Sequence, residues 1–289
     1  MTDSHARRNG ILCIVAAALL WSTGGIGIKA IADPALKVAF YRSLFAAIAL
    51  FALFGKRVWR RTWRSTPAFA AGLVSYAACL TAFVTATKWT TAANAIFLQY
   101  AGVVWVMLLS PLVLREPLRR RDVIAVVTAL GGMALFFVGK FDTHGMAGNA
   151  MALLSSIFFA GLVLAMRREP DASQAAITWG NVLTALALLP FVSRDLALTP
   201  RSALVLIALG VVQIGLAYVL FVRGLKAVSA TQASLTGMLE PIANPLWVFL
   251  LLGETPSHWA MLGAVIVLCA IGWRTIVGEG GARDLPAVD

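Results

Sequence analysis

Two charged side chains stand well inside long apolar runs of this 289-residue chain, away from the run ends, Arg42 and Glu240, and they pose its chemical question. A charge in hydrocarbon costs about 3 kcal/mol or more, so such residues face a bundle interior or a water-filled path, where they bind or carry protons. Arg42 lies roughly seven residues into its run, within snorkelling reach of the surface. Glu240 lies some nine residues from the end of its run, roughly 13 Å deep at 1.5 Å per residue, too far to snorkel. Three roles are open to it: a packing hydrogen bond, a ligand for a substrate ammonium, or a proton-exchanging carboxylate.

The backbone around Glu240 is itself unusual, reading Gly237-Met238-Leu239-Glu240-Pro241-Ile242-Ala243-Asn244-Pro245. Pro241 and Pro245 each remove an amide donor, which frees the carbonyls of Gly237 and Pro241 for other partners. Gly237, Pro241 and Pro245 therefore mark an expected hinge. Ala233, Gly237, Glu240 and Asn244 recur at three- and four-residue steps and share one helix face. Elsewhere Trp21, Tyr76, Gln99, Tyr100 and Gln213 place aromatic and amide groups within apolar runs. Small-molecule sites are mostly apolar with a few placed polar groups. These five with Glu240 are the expected substrate-binding set, suited to an amino acid or similar metabolite.

The elements that must position them are membrane spans. Hydrophobic residues make up 60% of the chain and charged ones 13%, where a soluble domain carries about 25% charge. Mean hydropathy is +0.84. Ten runs of bilayer-crossing length can be drawn: 11–31, 36–54, 67–87, 92–114, 123–138, 146–166, 173–193, 202–222, 231–252 and 259–277. The first follows Arg7-Arg8 and is too long for a signal-peptide core, so it reads as a retained helix. Near-continuous apolar runs lack the alternation of a transmembrane barrel, and backbone groups in lipid must pair internally. An all-α integral membrane protein of ten helices is expected.

The chain also echoes itself. At an offset of 138 positions, Gly148 falls on Gly10, Lys226 on Lys88, Ala230 on Ala92, Ala233 on Ala95, Leu246 on Leu108 and Glu254 on Glu116. One offset without gaps argues for duplication, with residues 1–140 and 141–289 as the two five-helix units of one membrane domain. Five spans per unit is odd, so the second enters the membrane from the opposite side. Inverted repeats of this kind build secondary transporters, with the site near mid-membrane where the repeats meet.

The net charge of +11 sorts by side rather than forming a nucleic-acid patch. Seventeen basic residues fall on the side of Arg7, the Lys56–Arg64 cluster, Arg115, Arg119–Arg121 and Arg167-Arg168. Six fall on the other, and Arg42 completes the 24. The positive-inside rule then places both termini in the cytoplasm of a bacterial-type inner membrane. Expected partners are a small-molecule substrate and membrane lipid, with a monomer as the working unit.

Other chemistries find little support. His5, His144 and His258 all lie outside the spans and no His-Glu-x-x-His occurs. Cys13, Cys79 and Cys269 sit in apolar runs without metal-ligand spacing. No metal or cofactor is expected. Gly24, Gly25 and Gly27 follow no strand and precede no Gly-Lys-Ser/Thr, so they are small packing residues rather than a phosphate loop. No helix is polar enough along its length to line a channel.

Several segments resemble a known family. Leu20-Trp21-Ser22-Thr23, Tyr41-Arg42-Ser43-Leu44, the paired endings Leu114-Arg115-Glu116 and Leu252-Gly253-Glu254, and Leu239-Glu240-Pro241-Ile242 are similar to the ten-helix, EamA-type members of the drug/metabolite transporter superfamily. Val103 departs from the proline that members often carry at the position matching Pro241. Within the superfamily the chain resembles amino-acid exporters of the YddG type. That resemblance implies export of aromatic and other neutral amino acids. Multidrug efflux, or metabolite uptake by the same fold, is the alternative.

Overall fold

The computed structural model describes residues 2–62, 66–135, 138, 145–243, 247 and 257–280, and among them every regular element is helical. In chain order these are α1 (Thr2–Trp21), α2 (Gly24–Lys29), α3 (Ala35–Thr62), α4 (Pro67–Trp89), α5 (Ala92–Gln99), α6 (Gly102–Leu114) and α7 (Arg120–Leu135). After residue 145 come α8 (Met146–Arg168), α9 (Ser173–Val192) and α10 (Pro200–Ala208). A π-helical stretch follows (Leu209–Leu216), then α11 (Ala217–Leu225), α12 (Ala230–Gly237) and α13 (His258–Gly280). Eight of the continuous or nearly continuous helices are long and apolar enough to cross a membrane. α7 and the ninth run, which extends past residue 243, complete the ten.

Helix ends differ from the apolar runs where polar residues propagate a helix well. α1 starts ahead of residue 11, and α3 continues past residue 54 through Lys56, Arg57, Arg60 and Arg61. Arginine and lysine are good helix formers, so hydropathy underestimates the length. Starts are fixed by caps. Thr91 Oγ1 accepts from Asn94 N to open α5, and Ser229 Oγ accepts from Gln232 N to open α12. Those two caps are 138 positions apart.

The same offset organises the packing. The third span packs on the sixth as the eighth packs on the first, and the third on the seventh as the eighth on the second. The fourth meets the sixth as the ninth meets the first. Spans two and seven, four and nine, and five and ten each pair with their own mate. That list is what a pseudo-two-fold relation between the halves produces, and with five spans per half such an axis lies in the membrane plane. Gly10 and Gly148 show it at atomic scale. A Cβ on Gly10 would meet Ala227 Cβ at 2.6 Å, and one on Gly148 would meet the backbone N of Thr90 at 2.7 Å. Both glycines let their helix approach the corresponding loop of the other half.

Charge is not confined to Arg42 and Glu240, and that expectation is corrected here. Asp122, one residue ahead of the fifth apolar run, is buried and bonded to buried Arg274 of α13. This pair ties α7 to α13, each charge satisfying the other away from water. At one rim Glu116 joins three helix ends. Its Oε1 accepts from Arg167 Nε at 2.8 Å and its Oε2 accepts from Ala230 N at 3.2 Å, a carboxylate at a helix N-terminus.

Candidate functional site

Among the described residues, four spans carry interruptions in their helical hydrogen bonding, and all four contribute to one cavity. In the first span, Ser22 Oγ bonds Leu19 O and Thr23 Oγ1 bonds Leu20 O. These local bonds compete with the helix and separate α1 from α2 just after Trp21. In the fourth, α5 ends at Gln99 and α6 restarts at Gly102. In the ninth, α12 ends at Gly237 and helix resumes after Met238. Tyr100 and Met238, at these two breaks, are 138 positions apart. The first-half break therefore forms with no proline at Val103, and Pro241 is not what a break at this point requires.

Pro241 does shape the bonding around its own break. It cannot donate to Gly237 O, and that carbonyl accepts instead from Tyr100 Oη at 2.6 Å. Tyr100 Oη also lies 2.8 Å from Glu240 Oε2. The two broken helices are thus joined to each other through the acid. Pro245 lies outside the described residues.

The eighth span carries a different irregularity. Over Leu209–Leu216 the helix is π rather than α, while the matching residues 71–78 lie within ordinary α-helix. Wide π turns are rare and recur at functional sites because they re-aim side chains. Here the re-aimed residue is Gln213. Its Oε1 accepts from Arg42 Nη2 at 2.5 Å and its Nε2 donates to Trp21 O at 3.2 Å, so one amide links spans one, two and eight. Gly210 makes the approach feasible, since a Cβ there would lie 2.7 Å from Arg42 O.

These groups enclose a cavity of about 50 Å³ lined by Trp21, Arg42, Gln99, Phe159, Gln213, Tyr218 and Glu240, with Cys79, Leu80, Phe83 and Ile214. Trp21 and Phe159 are repeat mates, as are Leu80 and Tyr218, so both halves contribute equivalent positions. Glu240 is 7% exposed and Arg42 1%, so neither charge reaches the surface. Snorkelling is excluded for Arg42: the guanidinium turns into the bundle.

Of the expected binding residues, Trp21, Gln99, Gln213 and Glu240 line this cavity. Gln99 donates from Nε2 to Ser155 Oγ at 2.7 Å, which holds its amide against the sixth span. Tyr100 stands behind Glu240. Tyr76 is set back too, bonding Asn181 Oδ1 at 3.1 Å with its ring centroid 5.1 Å from that of Tyr218. Tyr218, which also meets the Trp21 ring at 5.0 Å, was not among the expected residues. Its mate is Leu80, so comparing the two halves gave no polar signal there. Among the described residues, no group of three or more His, Cys, Asp or Glu side chains could hold a metal ion.

The comparisons agree with this architecture. The model of the EamA-like transporter family matches twice, over residues 8–138 and 146–274. The uncharacterized transporter YwfM of Bacillus subtilis is 29% identical over 280 residues, covering 90% of this chain and 93% of its own. The pseudopaline exporter CntI of Pseudomonas aeruginosa is 24% identical over 273 residues, covering 91% and 94%. One crystal structure of a protein superposes with a TM-score of 0.78 at 18% identity, over 94% of this chain and 98% of that one, a likeness of fold. A doubled five-helix unit, and a family model that matches each half of the chain, lead to one conclusion: the chain belongs to the EamA-like transporter family of the drug/metabolite transporter superfamily.

Proposed function

We propose that the protein exports amino acids, aromatic and other neutral ones, by alternating access through the cavity between its two halves, taken as residues 1–140 and 141–289. The observation that carries this reading is the cavity itself. It lies where mates from both halves meet, is walled by Trp21, Phe159 and Tyr218, and holds the amides of Gln99 and Gln213 beside Glu240. Its volume of about 50 Å³ is far below the roughly 300–1,000 Å³ of ligand pockets. A substrate therefore enters only after helices part, and the broken fourth and ninth spans are the elements to part. Gly237 and Pro241 act as the hinge on one side, with Pro245 beyond, and residues 100–101 on the other. A relative named as an exporter supports the direction. The bias of basic residues supports an inner membrane with both termini in the cytoplasm. A monomer suffices, because one chain supplies both halves of the site.

Counterflow in proteoliposomes tests the reading, using labelled phenylalanine against a panel of amino acids and organic cations. Exchange of neutral amino acids is expected. Exchange of cations alone would replace it with multidrug efflux, which Glu240 taken by itself would also suit. The role of Glu240 separates in Glu240→Gln. A carboxylate that pairs with the substrate ammonium predicts weakened binding at every pH, whereas one that couples protons predicts normal binding and a flux that no longer varies with pH.

A further inference from the structure

Arg42 is the least satisfied charge among the described spans. It is 1% exposed, and Gln213 Oε1, a neutral acceptor, is its one hydrogen-bond partner. Nε and Nη1 are buried with no acceptor at all. A guanidinium offers five N–H donors and does not shed its proton, so the deficit cannot be removed by neutralisation. Leaving such donors unmet in a low-dielectric interior is costly, and native structures keep the arrangement where something else completes it. Glu240 lines the same cavity but forms no ion pair with Arg42; its carboxyl is held at the fourth span by Tyr100. Tyr76 and Tyr218 are further polar side chains near Arg42. One cavity therefore presents a cation short of acceptors and, separately, a single acid.

We propose that Arg42 is the seat for a carboxylate of the transported molecule, with Glu240 facing its ammonium, so that the substrate class is the amino-carboxylate zwitterion. This rests on reading the cavity as the transport site, and it narrows that reading. A carboxylate is the anionic acceptor whose two oxygens suit a guanidinium, and such charge-assisted bonds are roughly twice as strong as neutral ones. Gln213 then positions Arg42 through the π-helical stretch. A molecule carrying only an amine meets an unpaired guanidinium and is disfavoured. A phosphate monoester, with two negative charges, brings more charge than Arg42 balances in a site that Glu240 also lines.

The test compares analogues on the unaltered protein, so it does not depend on a variant folding. Phenylalanine, phenylalanine amide and phenethylamine compete for counterflow of labelled phenylalanine, and each is also scored by thermal stabilisation of the purified protein in detergent. Loss of the carboxylate should weaken competition about 10- to 100-fold, the range for a hydrogen bond to a charged group. Arg42→Gln should bring the three compounds within about threefold of one another, and Arg42→Lys should restore part of the preference. Equal competition by amine and amino acid on the unaltered protein overturns the inference, with amino-acid transport left standing and Arg42 reduced to a cross-link. Transport or stabilisation by organic cations and by no amino acid overturns both readings together.

Discussion

Trp21 and Arg115 show how much of this protein's behaviour is decided by one residue. Trp21 ends α1 at a break and puts its ring against Tyr218 and Phe221, both at 5.0 Å, while lining the cavity. Trp21→Ala should weaken competition by phenylalanine more than by alanine, by about 1 kcal/mol, the worth of an aromatic pair beyond its buried area. Equal losses for both amino acids would place the ring outside the binding surface. Arg115 is the one non-glycine residue among the described ones with positive φ, 57°, at the C-cap of α6. Its repeat mate is Gly253, the residue type that accepts this conformation without steric cost. Arg115→Gly should raise the thermal midpoint, gaining up to about 1 kcal/mol, in a detergent melt of purified protein. What the sequence hid at this scale was surroundings. Distance along the chain put Arg42 near a surface, but neighbouring helices enclose it. Asp122 escaped notice by standing one residue before an apolar run.

Among the elements, the ninth span carries the strongest prediction. Gly237 O is already engaged by Tyr100, and the first half breaks at the matching point without a proline. Pro241→Ala should therefore keep the break and the fold, and act on motion instead, because its new amide competes with Tyr100 for Gly237 O. Slower counterflow by a protein that still extracts as a single monodisperse species is expected. Unchanged turnover would leave the proline a packing residue. The spans themselves were legible because hydropathy and helix length are fixed by the bilayer. The break after Gly237 was legible through Pro241. The break at Tyr100 and the π turns were not, because both arise from contacts between helices. Gln213 bridging Arg42 and Trp21 has no local sequence signature.

At the scale of the whole molecule, duplication was readable from a handful of identities such as Gly10 with Gly148, and the helix caps of Thr91 and Ser229 add a non-identical pair at the same offset. Topology follows from it. Reporter fusions should place both termini and the Lys56–Arg64 segment on one face, and residues 30–34 and 194–199 on the other. A fusion that reports the Lys56–Arg64 segment on the face opposite the termini would refute the arrangement.

Two identical halves related by a two-fold axis in the membrane plane would make the inward- and outward-facing states equal in energy, since rotation about that axis turns one into the other. The π turns of Leu209–Leu216 have no counterpart at 71–78, and the position matching Arg42 is Gly180. On the alternating-access proposal that degeneracy is lifted, and one orientation is favoured even without a gradient. Half-saturation concentrations measured from opposite faces then differ, while detailed balance obliges the maximal rates to differ in compensation. On the alternating-access proposal, such asymmetries between the halves set no direction of net flux, but they decide which side of the membrane the empty carrier favours.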